Sequence, residues 1–162
     1  MGRRSMLAYG IAFALLGAAC GGAAARGSGA SHATVTTRTV QGVGTIYTDA
    51  SGMALYSPAQ EANGTITCTG ACTNIWIPLT PPANGSLTAG SGVQGTLGTI
   101  ARPDGSKQVT LNGAPLYRFY QDTAPGTVNG NGITDSFGGA NFTWRVASSG
   151  TVKKSGSGGY GY

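Results

Sequence analysis

Residues 113–122 read Gly-Ala-Pro-Leu-Tyr-Arg-Phe-Tyr-Gln-Asp, and residues 52–61 read Gly-Met-Ala-Leu-Tyr-Ser-Pro-Ala-Gln-Glu. The two stretches share Gly, Leu-Tyr, Gln and a final acidic residue without a gap. Further matches in the same order are Gly44-Thr-Ile46 with Gly98-Thr-Ile100, and Trp76 with Trp144. Self-similarity at several ordered landmarks indicates that the chain contains two copies of one supersecondary unit.

Each copy predicts short strands joined by tight turns. The predicted strands are residues 43–48, 53–57, 96–102, 107–111 and 116–120. Asp49-Ala-Ser-Gly52 and Pro103-Asp-Gly105 are typical of turns, because Asp bonds its own backbone and Gly tolerates a positive φ. Asn112-Gly113 is the residue pair most typical of a two-residue hairpin.

These strands predict an all-β fold. Two-stranded units are marginally stable by themselves, so we expect a small antiparallel β domain in which two pseudo-symmetric repeats share one core. Residues expected to supply that core are Leu55, Leu116, Trp76 and Trp144. The predicted domain spans residues 40–147, with repeat one at about 43–79 and repeat two at about 97–146.

The N-terminus predicts export. Residues 1–19 combine a basic start, a short apolar run and small residues before Cys20, which is typical of a signal peptide. The stretch Leu15-Leu-Gly-Ala-Ala-Cys20 resembles the bacterial lipobox, which implies lipidation of Cys20; the alternative is a secreted protein cut near Ala19 or Ala25. A flexible tether is expected at residues 20–39 and a disordered Gly/Ser/Tyr tail at residues 148–162.

The formal net charge of +5 is concentrated outside the predicted domain, in the signal, the tether and the tail, and Arg38 is assigned to the tether. Inside the domain, the basic residues Arg102, Lys107, Arg118 and Arg145 face the acidic residues Asp49, Glu61, Asp104, Asp122 and Asp135. The domain is therefore near neutral. Nucleic-acid binding requires a basic surface that neutralises phosphates, and this balance argues against it.

The combined motifs resemble the secreted-repeat bacterial lipoproteins, which carry Tyr-x-(Phe/Trp/Tyr)-x-x-Asp and a Cys-x-Gly-x-Cys segment followed by Trp. Repeat two fits the first motif through Tyr117, Phe119 and Asp122. Repeat one keeps Tyr56 and has Glu61 at the acidic position. The resemblance implies an envelope location and no particular activity.

The three cysteines fall into two groups, Cys20 at the predicted cleavage site and the pair Cys68 and Cys72 in the predicted domain. With Cys20 lipidated, Cys68 and Cys72 remain as an even pair in an oxidising compartment, and we expect a structural disulfide between them. The alternative is a redox-active dithiol, although such pairs usually have two intervening residues and a helix N-terminus that stabilises the thiolate.

Catalytic constellations are scarce in this sequence. The single histidine, His32, lies in the predicted tether, so the domain lacks the base that Ser-His-Asp or Cys-His catalysis requires. No His/Cys cluster has the spacing of a zinc site. We therefore expect no catalytic residues, no metal and no cofactor; a carboxylate-based hydrolase is the enzymatic alternative.

The loop from Asp122 to Asp135 is the candidate binding loop, with Asn129 and Asn131 between its two carboxylates. Oxygen ligands on a Gly-rich loop suit calcium, but the spacing is not that of an EF-hand. We expect a structural role, in which Asp122 accepts backbone amides of its own loop and a hydroxyl of Tyr56 or Tyr117.

Tyr117 and Phe119 share one face of a strand, because side chains alternate with a period of two. We expect this face in the core; the alternative is an exposed aromatic surface for glycans. Taken together, the sequence predicts an exported, lipid-anchored, non-catalytic envelope module that binds an unknown envelope protein or glycan, or stabilises the cell surface. A redox accessory built on Cys68 and Cys72, or a hydrolase acting on cell-wall or glycan material, is the alternative.

Overall fold

The computed structural model describes residues 1–2 and 33–150. All elements below belong to the compact unit that begins at Ser31. The predicted signal peptide beyond Gly2, Cys20, His32 and residues 151–162 of the predicted tail lie outside the described residues. Within the described ranges, no helix has the length and apolar character needed to span a membrane.

Strands make up nearly all of the regular structure. In chain order they are β1 (Val35–Val40), β2 (Gly44–Asp49), β3 (Tyr56–Pro58), β4 (Trp76–Pro78), β5 (Leu97–Ala101), β6 (Lys107–Leu111), β7 (Ala114–Pro115), β8 (Tyr117–Phe119), β9 (Thr134–Phe137) and β10 (Ala140–Val146). A 3-10 turn (Ala59–Glu61) and one helical turn, α1 (Cys72–Ile75), complete the elements. The predicted all-β fold is confirmed.

The strands form three antiparallel sheets. The largest has the order β4-β8-β3-β10-β9. Its first four strands come alternately from predicted repeats one and two, and β9 of repeat two forms the edge. The β1–β2 hairpin precedes it in sequence, and the three-stranded β5-β6-β7 sheet is formed by the segment between β4 and β8. Tyr56 of β3 and Tyr117 of β8 are direct register partners. The two tyrosines of the repeated motif therefore meet side by side in one sheet.

Local sequence explains the turns. Asn112 and Gly113 both have positive φ, 51° and 84°, as the mirror-image hairpin turn between β6 and β7 requires. At the first turn, the Asp49 Oδ1 atom accepts the backbone N–H groups of Ser51 and Met53, at 2.8 and 3.0 Å. These side-chain bonds replace the ladder bonds that the chain gives up as it reverses.

The predicted tether is wrong at its C-terminal end. Residues 35–40 form β1, which pairs with β2 along its full length, and Val35 is fully buried. The segment Val-Thr-Thr-Arg-Thr-Val is rich in β-branched residues, which favour a strand once a partner strand is available. Arg38 consequently belongs to the folded domain. The predicted tail also starts too early, because Ser148 forms a bridge with Ile46.

The core contains two clusters, and each draws on both predicted repeats. Tyr56, Tyr117, Trp76 and Trp144 belong to the first cluster. Leu55 and Leu116 belong to the second cluster, with Val35, Tyr47 and Val109. Adjacent residues separate in this way because successive side chains of an extended strand point to opposite faces. The symmetry between the repeats stays a prediction, whereas the sharing of both clusters is observed.

Gly130 provides a test of how tightly the first cluster is packed. A Cβ atom at Gly130 would lie 2.8 Å from Cη2 of Trp76 and 3.0 Å from Cε1 of Tyr56. We expect Gly130→Ala to lower the free energy of unfolding by about 1–3 kcal/mol in urea titrations, because overpacking a filled core forces neighbours to shift. Gly150→Ala is the matched control, since a Cβ there meets nothing within 4 Å. Equal stability of the two variants would contradict this packing.

Candidate functional site

The residues of the repeated motif meet in the buried centre of the large sheet, and they bond in a crossed pattern. The Tyr56 hydroxyl of repeat one donates to Oδ2 of Asp122 in repeat two, at 2.5 Å. The Tyr117 hydroxyl of repeat two donates to Oε2 of Glu61 in repeat one, at 2.6 Å. Each tyrosine therefore bonds the carboxylate of the other repeat rather than the one five residues ahead of it.

Glu61 is completely buried, and two backbone N–H groups of its own repeat donate hydrogen bonds to its carboxylate. The Oε1 atom accepts the backbone N–H groups of Thr67 and Cys68, both at 2.6 Å. With the hydroxyl of Tyr117 on the other oxygen, three donors compensate the carboxylate. Such compensation is needed, because an unpaired buried charge costs far more than a typical hydrogen bond returns.

Arg102 extends this network on the far side of Tyr117. The guanidinium is 5% exposed, donates through Nη2 to the Cys68 carbonyl at 2.7 Å, and lies within 3.4 Å of the Tyr117 hydroxyl. Nη1 also bonds the side chain of Gln108, whose own amide donates to the Leu116 carbonyl at 2.7 Å. Arg102 thus links repeat two to the disulfide segment of repeat one.

Sequence reasoning missed Arg102 and Gln108. In the sequence, Arg102 enters only the charge balance of the domain. Gln108 lies in a strand whose pattern gives no reason to expect a fully buried amide. The local pattern around Arg102 carries no signal, since its partners Tyr117 and Cys68 lie 15 and 34 residues away in sequence.

Burial sets the protonation of the two tyrosines. Desolvation raises the pKa of Tyr56, and the charge and hydrogen bond of Asp122 raise it further. Desolvation likewise raises the pKa of Tyr117, reinforced by Glu61 and partly opposed by Arg102. Both hydroxyls therefore remain protonated donors across the physiological range, and the crossed bonds keep their direction.

Asp122 stands at the start of the candidate binding loop and is nearly buried. Its Oδ1 atom accepts the backbone N–H of Asn129 at 2.9 Å, within the loop, and its other oxygen accepts the Tyr56 hydroxyl. Burial raises the pKa of Asp122, while the bonds from Tyr56 and Asn129 act in the opposite direction. The carboxylate holds the loop closed over Tyr56.

The remaining polar residues of the loop also bond their own chain. Nδ2 of Asn129 donates to the Gln121 carbonyl at 3.1 Å, and Oδ1 of Asn131 accepts the Val146 amide at 3.1 Å. No group of three or more His, Cys, Asp or Glu side chains suited to a metal occurs in residues 33–150. The four predicted loop residues thus lie close in sequence but serve separate contacts.

Asp135, at the end of the loop, accepts both tryptophan indoles. Trp76 Nε1 donates to its Oδ2 at 2.7 Å, and Trp144 Nε1 donates to its Oδ1 at 2.9 Å. The two indole rings stack with centroids 3.8 Å apart and planes 9° from parallel. One carboxylate therefore fixes the in-plane orientation of the central aromatic pair.

The predicted disulfide between Cys68 and Cys72 is confirmed. Both cysteines are fully buried in the first cluster, just before Trp76. Tyr117 and Phe119 are also buried, so the expected core face is confirmed and the alternative of an aromatic binding surface is wrong at these positions. Tyr120, which lies between β8 and the loop, is the partly exposed aromatic neighbour, at 40%.

Two surface clefts flank the turn at Ala50. One, of about 400 Å³, contains Arg118 and Asp49, which lie 3.6 Å apart, beside Pro81 and Pro82. The other, of about 530 Å³, opens on β1 and is lined mainly by hydroxyl side chains and Arg38. Volumes of this order accommodate small ligands. Neither cleft contains Tyr56, Glu61, Tyr117, Phe119 or Asp122.

Comparison with known proteins agrees with this picture. Residues 98–147 match a family model described as a secreted repeat of unknown function. The match coincides with the predicted second repeat, which confirms the family resemblance for that part of the chain, and the description indicates export. No curated protein and no solved structure shows significant similarity.

Double-mutant cycles test the crossed bonding. We expect a coupling of about 1–3 kcal/mol between Tyr56→Phe and Asp122→Asn, and between Tyr117→Phe and Glu61→Gln, because each pair removes one hydrogen bond to a carboxylate. The same-repeat pairs, Tyr56 with Glu61 and Tyr117 with Asp122, are the controls and should be additive within about 0.5 kcal/mol. Urea unfolding of the eight variants measures both. Larger coupling within repeats than between them would overturn the assignment.

The raised pKa of Asp122 predicts a distinctive pH dependence. The folded state holds this proton more tightly than the unfolded state, so its contribution to stability is complete below the unfolded pKa and is lost as pH rises through the folded pKa. The stability of wild type relative to Asp122→Asn should therefore fall as pH rises above about 4. Asp104→Asn is the control, because the hydrogen bond from Ser106 lowers the pKa of exposed Asp104. The stability of wild type relative to Asp104→Asn should therefore rise with pH. If chemical denaturation shows the same pH dependence for both stability differences, the prediction is refuted.

Proposed function

We propose that the protein is a lipid-anchored, non-catalytic module of the bacterial cell envelope that presents its surface clefts to an envelope ligand. The proposal rests on how the chain uses its chemically capable side chains. In the described residues these groups stabilise the fold, and two clefts beside Ala50, one of them containing Asp49, are open on the surface.

The observation that carries the proposal is the state of the carboxylates. The five acidic residues of the chain are Asp49, Glu61, Asp104, Asp122 and Asp135. Each one accepts hydrogen bonds from its own chain. Hydrolysis by paired carboxylates needs one protonated acid and one base on either side of a substrate. Asp122 has the raised pKa of an acid, but it is 5% exposed and bonded to Tyr56. This argues against the hydrolase alternative.

The disulfide supports the same conclusion for redox chemistry. Thiol–disulfide exchange requires an attacking thiolate to reach a sulfur atom. Cys68 and Cys72 are both 0% exposed and lie beneath Trp76 in the first cluster. A cross-link in this position braces the turn that delivers Trp76 to the core, which favours a structural role.

The anchor is proposed from the N-terminal sequence. Cys20 follows a signal-like segment, and the match to a secreted repeat supports export. Several acyl chains on Cys20 would hold the folded domain near a membrane, since stable anchoring takes more than one acyl chain or a second membrane signal.

Metabolic labelling with an alkyne fatty acid tests the anchor. Wild-type protein should carry the label and partition into detergent, whereas Cys20→Ser should be unlabelled and soluble. The double variant Cys68→Ser/Cys72→Ser is the control, because it removes two cysteines and should keep the label. Unlabelled wild-type protein whose mature N-terminus lies beyond Cys20 would overturn the anchor.

The non-catalytic part has its own test. We expect purified wild-type protein to release no products from peptidoglycan or acidic and neutral polysaccharides. Turnover by wild type that disappears in Asp122→Asn or Glu61→Gln, with the variants still folded by circular dichroism, would establish the hydrolase instead.

A further inference from the structure

We infer that the cleft on β1 binds an acidic sugar through Arg38 and the Thr48 hydroxyl, an inference that rests on the proposed function and names its ligand class. The residues on which the argument depends are Thr36, Arg38, Thr39, Thr48, Ser51 and Gly52. Their side chains offer hydroxyl groups and one guanidinium, and none of the described residues lining this cleft is acidic.

Arg38 is a cation without a protein partner. Within residues 33–150 it makes no hydrogen bond or ion pair, whereas Arg118 is paired with Asp49 and Arg102 is bonded inside the core. Including Arg38 makes the domain five basic against five acidic residues, one basic residue more than the four counted from position 40. Its charge is therefore available to an external anion.

The side chain of Arg38 lies beside two glycine turns. One terminal nitrogen lies 3.2 Å from the point where a Cβ of Gly52 would be, and its Cδ lies 3.6 Å from the same point at Gly126. Gly52 and Gly126 both have positive φ, which disfavours any side chain there. The absence of side chains at these two turns leaves room for the Arg38 side chain beside them.

Thr48 gives a second, independent indication of a ligand. It is 1% exposed, lines the cleft, and its Oγ1 atom has no hydrogen-bond partner in the described part of the chain. Thr36 and Thr48 are register partners in the β1–β2 pair, so their side chains share one face with Arg38, two residues further along β1. A buried hydroxyl without a partner is costly, and a polar ligand in the cleft would satisfy it.

The chemistry of the cleft selects the ligand class. One guanidinium matches one carboxylate, which it can bind through two parallel hydrogen bonds. The surrounding hydroxyl groups suit the hydroxyl groups of a sugar. Neutral glycans are commonly recognised on aromatic rings, and no aromatic residue is among the described residues lining this cleft. A uronic-acid oligosaccharide meets all of these conditions.

The test is calorimetric titration of the purified mature protein with trigalacturonate and with its neutral methyl ester. Wild type should bind the acid at least about tenfold more tightly than the ester, since the charge-assisted bond is lost in the ester. Arg38→Gln should abolish this preference. Lys107→Gln is the matched control, because it removes an exposed cation outside the cleft and should change nothing.

Thr48→Val separates a binding role from a structural one. It replaces an unpartnered hydroxyl by a methyl group of the same shape, so the melting temperature should hold or rise while affinity for trigalacturonate falls about threefold to tenfold. A purely structural Thr48 would leave affinity unchanged, which would overturn the proposal.

Other outcomes are equally decisive. Equal binding of acid and ester, equal losses in Arg38→Gln and Lys107→Gln, no binding at millimolar ligand, or tighter binding of inorganic phosphate would each overturn the acidic-sugar site while leaving the proposed non-catalytic function intact. Cleavage of trigalacturonate, seen as new reducing ends, would overturn the non-catalytic function and leave the binding site standing.

Discussion

Two buried tyrosine–carboxylate hydrogen bonds hold this domain together. Because Tyr56 bonds Asp122 and Tyr117 bonds Glu61, each half of the chain supplies one donor to the buried carboxylate of the other half. An unpaired carboxylate in an apolar interior would cost several kcal/mol. Folding of the two halves is therefore coupled by the hydrogen bonds to the buried carboxylates as well as by the shared apolar core.

The aromatic core follows from this arrangement. The direct pairing of Tyr56 and Tyr117 brings β3 and β8 together, and β4 and β10 then place Trp76 and Trp144 face to face. Asp135 aligns both indoles from the end of the loop that Asp122 begins. The Tyr-x-x-x-x-acid motif thus supplies the hydrogen bonds that join the two repeats. The polar loop after it orients the tryptophans of the same core.

This use of the acidic residues has a consequence for function. A domain with five carboxylates and one short disulfide has few reactive groups, and here the core or the turns employ all of them. The proposed recognition of an envelope ligand would then depend on groups that the fold leaves unpaired. Exposed Arg38 and the buried Thr48 hydroxyl are such groups, and they share one face of the hairpin because β1 pairs with β2 in one particular register.

The sequence by itself determined the strand at residues 107–111, the Asn112-Gly113 hairpin, the disulfide and the inward positions of Leu55, Leu116, Tyr117 and Phe119. Turn chemistry, strand alternation and redox compartment act locally, which is why a sequence reveals them. Tertiary structure alone decided that the tyrosines bond across the repeats and that Asp135 accepts hydrogen bonds from two tryptophans. It also decided that Arg102 and Gln108 are buried and that residues 35–40 form a strand. Tyr56 and Asp122 are 66 positions apart, and Trp76 and Asp135 are 59 apart. Contacts at such separations depend on which strands become neighbours, and a polar side chain shows its partner only after the backbone has brought the two together.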